Sequence, residues 1–186
     1  MLLASNIILW ILVLVLLAVM LALLRQVGIL YERVAPAGVH KAPSGLKTGE
    51  ELPDLVLQTL DGRSLRLGGG PNKGKSTLLF FLSPGCPVCK TLLPVLKAIR
   101  NSEADWLDIV LASDGDKEEH RAWLKAQGME SWPHVLSPQL GMTMQVGQLP
   151  FAALVDESGV LLARHPVNSR EQIESMLGDQ YDEMDR

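Results

Sequence analysis

The tightest constraint in this sequence is Cys86-Pro87-Val88-Cys89, a cysteine pair set between an apolar run and a helical pattern. These two cysteines are the only ones among 186 residues. Spaced two apart, they cannot form a structural disulfide framework. A lone C-x-x-C is either half of a zinc site or a redox pair, and its surroundings decide between them. Residues 76–82, ending in Phe80-Phe81-Leu82, read as a buried strand. Ser83-Pro84-Gly85 breaks that strand, and residues 91–99 then carry apolar side chains at helical spacing. The pair therefore falls where a strand turns into a helix N-terminus. Unpaired N–H groups and the helix dipole favour a thiolate there, and the redox reading is preferred.

The length fits one domain plus a small addition, and the addition is at the front. Residues 7–24 form a run of 18 without a charge or a proline. At ~1.5 Å per residue such a helix spans roughly 27 Å, close to a bilayer core. A secretory signal peptide would have a shorter apolar region, a basic start and a small-x-small cleavage site. This run is longer and opens on Met1-Leu2-Leu3, with no clear cleavage site. Residues 1–25 are therefore expected to be an uncleaved transmembrane anchor. Arg25, Arg33, Lys41 and Lys47 follow it, so the positive-inside rule alone would leave the domain in the cytoplasm. A formal net charge of −4 gives no broad basic surface for nucleic acid.

Residues 26–49, rich in Pro, Gly, Ser and Lys towards their end, read as a linker. Residues 50–180 read as the folded domain and 181–186 as a solvated acidic tail. Within the domain, residues 52–57 and 64–67 flank an Asp61-Gly62 turn and predict a hairpin. Residues 106–112 predict a second apolar strand. Residues 114–127 predict an amphipathic helix with Trp123 and Leu124 inward, and 138–146 a short helix. Residues 151–155 and 160–164 pair about the turn Asp156-Glu157-Ser158-Gly159. A last helix over 169–177 has Ser169 as its N-cap and Gln172 three residues on. Strands alternating with helices and ending in a hairpin and a helix give a mixed α/β domain.

Other patterns carry less. Residues 69–76 satisfy the P-loop pattern G-x-x-x-x-G-K-[ST], but that chemistry needs a helix after the loop to present N–H groups to phosphate. A strand follows here, so the stretch reads as a glycine-rich turn. His40, His120, His134 and His165 lack ligand spacing from the cysteines and read as surface or core residues. Trp106, Trp123 and Trp132 read as packing residues, as do Met142 and Met144, which could alternatively line an apolar substrate groove. No metal site and no cofactor beyond the dithiol are expected.

Pro94 stands inside the predicted helix, where it removes a hydrogen bond. Pro150 stands at the entry of a strand, where a proline can be cis. The strand, the C-x-x-C, Lys90, Pro94 and the distant Pro150 together resemble the thioredoxin fold over roughly residues 46–177. The front hairpin is similar to that of the membrane-tethered branch of the superfamily. The segment from Ser83 to Pro94 contains Cys-Pro-Val-Cys-Lys-Thr-Leu-Leu-Pro. With the apolar front, Leu149-Pro150-Phe151 and residues 156–160, it resembles the MauD family of methylamine utilisation proteins, accessory factors for methylamine dehydrogenase.

That resemblance implies a thioredoxin-like domain with an N-terminal β-hairpin extension and a single N-terminal transmembrane helix. It also implies a thiol–disulfide oxidoreductase held at the inner membrane with its domain in the periplasm. Its partners would be the methylamine dehydrogenase small subunit, whose disulfides it would form or reshuffle, a membrane redox protein, and lipid around the anchor. Cys86 would attack and Cys89 would resolve the mixed disulfide. Pro87, Val88 and Pro94 would support the motif, and Leu149 and Pro150 would hold an extended substrate segment. Two positions depart from typical thioredoxins. Gly85 replaces the Trp before the first cysteine, and Phe80 replaces a buried acid six residues before it. Both lean towards oxidase or isomerase work over general reduction. A tethered reductant of apocytochrome c thiols shares the same features. A copper chaperone using the two cysteines is disfavoured by their close spacing.

Overall fold

The computed structural model describes residues 6–7, 9–20, 45–68 and 74–184, and the chain divides into a unit of residues 1–41 and one of residues 42–186. In the first unit, residues 9–20 are helical, with large apolar side chains such as Trp10, Leu14 and Leu16 exposed. Among the described residues no helix is long and apolar enough to cross a membrane. The expected anchor over 1–25 lies partly outside them, with residues 1–5, 8 and 21–25.

The second unit is built on β3 (Ser76–Phe81), the apolar run read from the sequence. All six of its residues are buried, as a central strand covered on both faces requires. It pairs in parallel with β4 (Leu107–Ser113), which pairs in parallel with β5 (His134–Leu136). On its other side β3 pairs antiparallel with β6 (Phe151–Val155), and β6 with β7 (Leu161–Pro166). The sheet order is β5-β4-β3-β6-β7. A separate two-stranded hairpin, β1 (Leu55–Gln58) and β2 (Ser64–Leu67), forms about the expected Asp61-Gly62 turn. Gly62 takes φ +88° there, a value that disfavours any side chain.

Alternation along the strands divides the core. Leu78, Phe80 and Leu82 face α1 (Pro87–Ser102) and α4 (Arg170–Met184), meeting Leu92, Leu96, Ile173 and Leu177. Leu79 and Phe81 face the other way, towards Leu67 of the hairpin and Leu140 of α3 (Pro138–Thr143). The helix α2 (Lys117–Ala126) adds Trp123 and Leu124 to the first cluster, the inward face expected of it. Each such Leu or Phe gains about 1.5–3 kcal/mol on burial, so the sheet is held from both sides.

Some boundaries differ from the sequence reading. The final helix continues through Met184, so most of the expected acidic tail is its last turns. The expected linker ends early, because Leu46 N–H donates to the Thr143 carbonyl and Gly49 N–H to that of Leu161. These bonds join residues 46–49 to the domain. Strand β5 was not anticipated. It has three residues and follows Pro133, too short for any alternation to register.

Candidate active site

The cysteine pair sits where β3 gives way to α1, as the sequence predicts. Leu82 N–H donates to the Ala112 carbonyl at the end of the parallel ladder, and residues 83–85 turn the chain into the helix. Cys86 is the N-cap of α1, with extended backbone (φ −85°, ψ 111°). Its sulfur accepts the Cys89 N–H at 3.1 Å, and its own N–H donates to the Ser83 carbonyl at 3.0 Å. Pro87 occupies N1, where a missing N–H costs nothing because that group has no helical partner. No acidic residue lies in the first turn. The positive end of the helix dipole is therefore left to the sulfur.

Cys86 and Cys89 are joined by a disulfide, with Cα atoms 5.3 Å apart. Their surroundings differ sharply. Cys86 is half-buried and flanked by exposed Gly85, Pro87 and Val88, whereas Cys89 is 0% exposed within the apolar cluster of Phe80, Leu82 and Leu92. An incoming thiolate can reach the first sulfur and not the second. Phe80 is itself fully buried. Among the described residues no buried carboxylate serves the pair. Pro94 lies on the exposed side of α1, between inward Leu93 and Leu96.

The Leu149–Pro150 bond is cis. Phe151 pairs with Phe81, and the two rings meet edge-on at 6.1 Å, so Pro150 enters the sheet at the end where β3 leaves for Cys86. The structure thus brings Leu149 and Pro150 to the cysteine end. Pro150 is buried and its carbonyl accepts Val167 N–H, while Leu149 stays exposed. The preceding loop is fastened by Arg164 on β7. Its guanidinium donates to the Met144 carbonyl and to Gln145 Oε1, both at 2.7 Å.

The remaining singled-out residues separate. Met144 is fully buried and Met142 is 56% exposed. Trp123 and Trp132 are buried, and the Arg100 guanidinium lies 4.5 Å over the Trp132 ring. Trp106 is half-buried and donates its Nε1–H to Glu103. The P-loop-like stretch leads into β3 with no helix after it, and its residues 69–73 lie outside those described, as does His40. His165 stays partly exposed. Among the described residues no group of three or more His, Cys, Asp or Glu side chains is placed to hold a metal ion.

Sequence reasoning missed a buried polar group at the same end of the sheet. His120 and His134 meet edge-on, ring centroids 5.1 Å apart, and His134 Nε2 lies 2.8 Å from Ser113 Oγ. Burial, aided by the neighbouring His120, pushes the His134 imidazole down to about 3. The available signal was His120 at i with Trp123 and Leu124 at i+3 and i+4, one inward stripe of α2.

Comparison with known proteins agrees with this geometry. The Redoxin family model matches residues 47–179. The methylamine utilization protein MauD of Paracoccus denitrificans is 41% identical over 176 residues, covering 95% of this chain and 87% of that protein. MauD of Paracoccus versutus is 42% identical over the same shares. Among solved structures, the exposed lipoprotein thioredoxin of Streptococcus pneumoniae aligns with a TM-score of 0.59 at 24% identity, covering 68% of this chain and 99% of that one. At that identity the likeness speaks to the fold, which is thioredoxin-like.

Proposed function

We propose that this chain, which belongs to the redoxin family and to the MauD methylamine utilization proteins within it, is a thiol–disulfide oxidoreductase that matures a disulfide-containing partner in methylamine utilisation. The observation that carries the reading is the asymmetry of the pair. Cys86 is a half-buried sulfur at a helix N-terminus, disulfide-bonded to a wholly buried Cys89.

In the oxidising direction a substrate thiolate attacks Cys86 Sγ. The Cys86–Cys89 bond breaks, a substrate–Cys86 disulfide forms, and Cys89 leaves as the thiolate and takes a proton. A second substrate thiolate attacks the substrate sulfur of that mixed disulfide and releases Cys86 as a thiolate. Two electrons have passed from substrate to the pair, and a membrane redox partner removes them. In isomerisation the reduced pair starts the cycle, and Cys86 is both attacker and leaving group. The α1 N-terminus stabilises the Cys86 thiolate in both directions. Leu149, exposed beside Pro150, offers its backbone to an extended substrate segment, as an added strand.

The substrate in this reading is the methylamine dehydrogenase small subunit. The site is periplasmic, tethered to the inner membrane by residues 1–25. The uncharged run over 7–24 supports the anchor, and so do the exposed apolar side chains of helical residues 9–20. A Cys89→Ala chain should accumulate a mixed disulfide between Cys86 and that subunit, released by reductant and identified by mass spectrometry. Absence of the adduct, together with normal dehydrogenase assembly in Cys86→Ser cells, rules the reading out.

A further inference from the structure

The segment that delivers Cys86 leaves the sheet at Leu82, and the Leu82 carbonyl is tied from the side. Ser113, the last residue of β4, donates its hydroxyl to that carbonyl at 2.9 Å. His134 Nε2 lies 2.8 Å from the same hydroxyl oxygen. A hydroxyl has one proton and a carbonyl can only accept. The Ser113 proton therefore goes to Leu82, and His134 must donate its Nε2–H to Ser113. His134 is 0% exposed, and burial holds it neutral at ordinary pH. His120, 2% exposed, lies edge-on against it and donates its own Nε2–H to the Asp114 carbonyl at 2.9 Å. The order is His134 to Ser113 to the Leu82 carbonyl, one residue before the Ser83-Pro84-Gly85 turn.

Packing alone does not account for these side chains. His120 Nδ1, His134 Nδ1 and Trp123 Nε1 are buried without a hydrogen-bond partner among the described residues. Burying polar atoms unpaired is costly, and apolar side chains would fill the same space without that cost.

We propose that Ser113, oriented by His134, is a positioning residue for the redox loop: it fixes the Leu82 carbonyl and so the place where residues 83–86 bring the Cys86 sulfur to the N-terminus of α1. The proposal rests on the oxidoreductase reading above. It predicts an asymmetry between the two redox states. In the disulfide form the bond to Cys89 itself holds the Cys86 sulfur over the helix. In the dithiol form only the loop and the Cys89 N–H do. Loss of the Ser113 bond therefore weakens thiolate stabilisation in the reduced form and leaves the oxidised form less affected. The reduced form becomes less favoured and the Cys86 thiol pKa rises.

The test uses the full chain and its Ser113→Ala, Ser113→Thr and His134→Phe variants. Each is equilibrated with defined glutathione couples, and the pH dependence of Cys86 alkylation is followed. Ser113→Ala is expected to shift the equilibrium constant towards the disulfide by about threefold to tenfold, the range of one hydrogen bond. His134→Phe should shift it less in the same direction, and Ser113→Thr, which keeps the hydroxyl, should restore it. A merely structural role would lower the stability of both redox forms equally, leaving the constant and the thiol pKa unmoved in Ser113→Ala and His134→Phe. That result overturns the proposal. Should Ser113→Ala not fold, His134→Phe carries the same comparison. A wild-type chain with no dithiol–disulfide equilibrium would instead overturn the oxidoreductase reading on which it rests.

Discussion

Two helices begin at the same end of the sheet, each after a parallel strand, and they are capped by different chemistry. At α2 the cap is Asp116, whose carboxylate accepts the N–H groups of Glu118 and Glu119 at 3.0 and 2.9 Å. Glu118 and Glu119 add further negative charge to that first turn. At α1 the cap is the Cys86 sulfur, which accepts one N–H, with Pro87 offering none and no acid in the turn. The α2 N-terminus is thus satisfied by fixed carboxylates and serves the fold. The α1 N-terminus is left for a sulfur whose charge comes and goes. Below the helices the contrast reverses. The cluster around Cys89 is apolar, while the region beside α2 holds His120 and His134. One local architecture serves reactivity in one place and stability in the other.

The largest effect should come from removing the reactive cap. Cys86→Ser should abolish disulfide exchange in a turnover assay while leaving far-UV circular dichroism unchanged. Retained turnover would show that another group carries the reaction.

The buried imidazole comes next. The folded His134 pKa of about 3 lies below the ordinary 6.5, so unfolding takes up a proton between those values. The contribution of neutral His134 is fully present above about pH 6.5 and is lost as pH falls towards 3. Its slope approaches about 1.4 kcal/mol per pH unit within that window. Urea unfolding of His134→Phe across the window should show a shallower pH dependence than wild type.

Asp116→Ala removes the carboxylate cap and should cost about 1 kcal/mol of stability, within the usual range of about 0.5–2 kcal/mol, in a denaturant titration. Exchange activity should persist, in contrast to Cys86→Ser. The smallest effect is a charge placed beside the reactive cap. Lys90→Glu puts an acid into the first turn of α1 and should destabilise the Cys86 thiolate by about 0.3–1 kcal/mol, making the couple more reducing. The reduction potential checks the sign.

The sequence made the reactive helix legible because its signals are local. A strand, a Ser-Pro-Gly break, two cysteines and a helical stripe lie within one stretch, and Pro150 marks the strand that joins it. The supporting polar group was not legible in the same way. Ser113 lies 31 residues after Leu82 and 21 before His134, and only the β4–β5 and β3–β4 pairings bring them together. Strand β5 is too short to show a period. The end of α4 is rich in acidic residues and poor in apolar ones, a pattern that reads as a tail, although the helix runs on to Met184. The capping box expected at Ser169 forms in part. Gln172 N–H does reach Ser169 Oγ at 3.4 Å, but the Gln172 side chain accepts from Asn168 N–H, one residue earlier than expected.

Helix α1 leaves its N-terminus to Cys86, and pH-dependent alkylation of the reduced chain reads out the consequence. With iodoacetamide labelling followed by mass spectrometry, Cys86 should react first, with a thiol pKa clearly below the ordinary ~8.5, while Cys89 stays protected in the folded protein. Preferential labelling of Cys89, or a Cys86 pKa at or above that ordinary value, would contradict it.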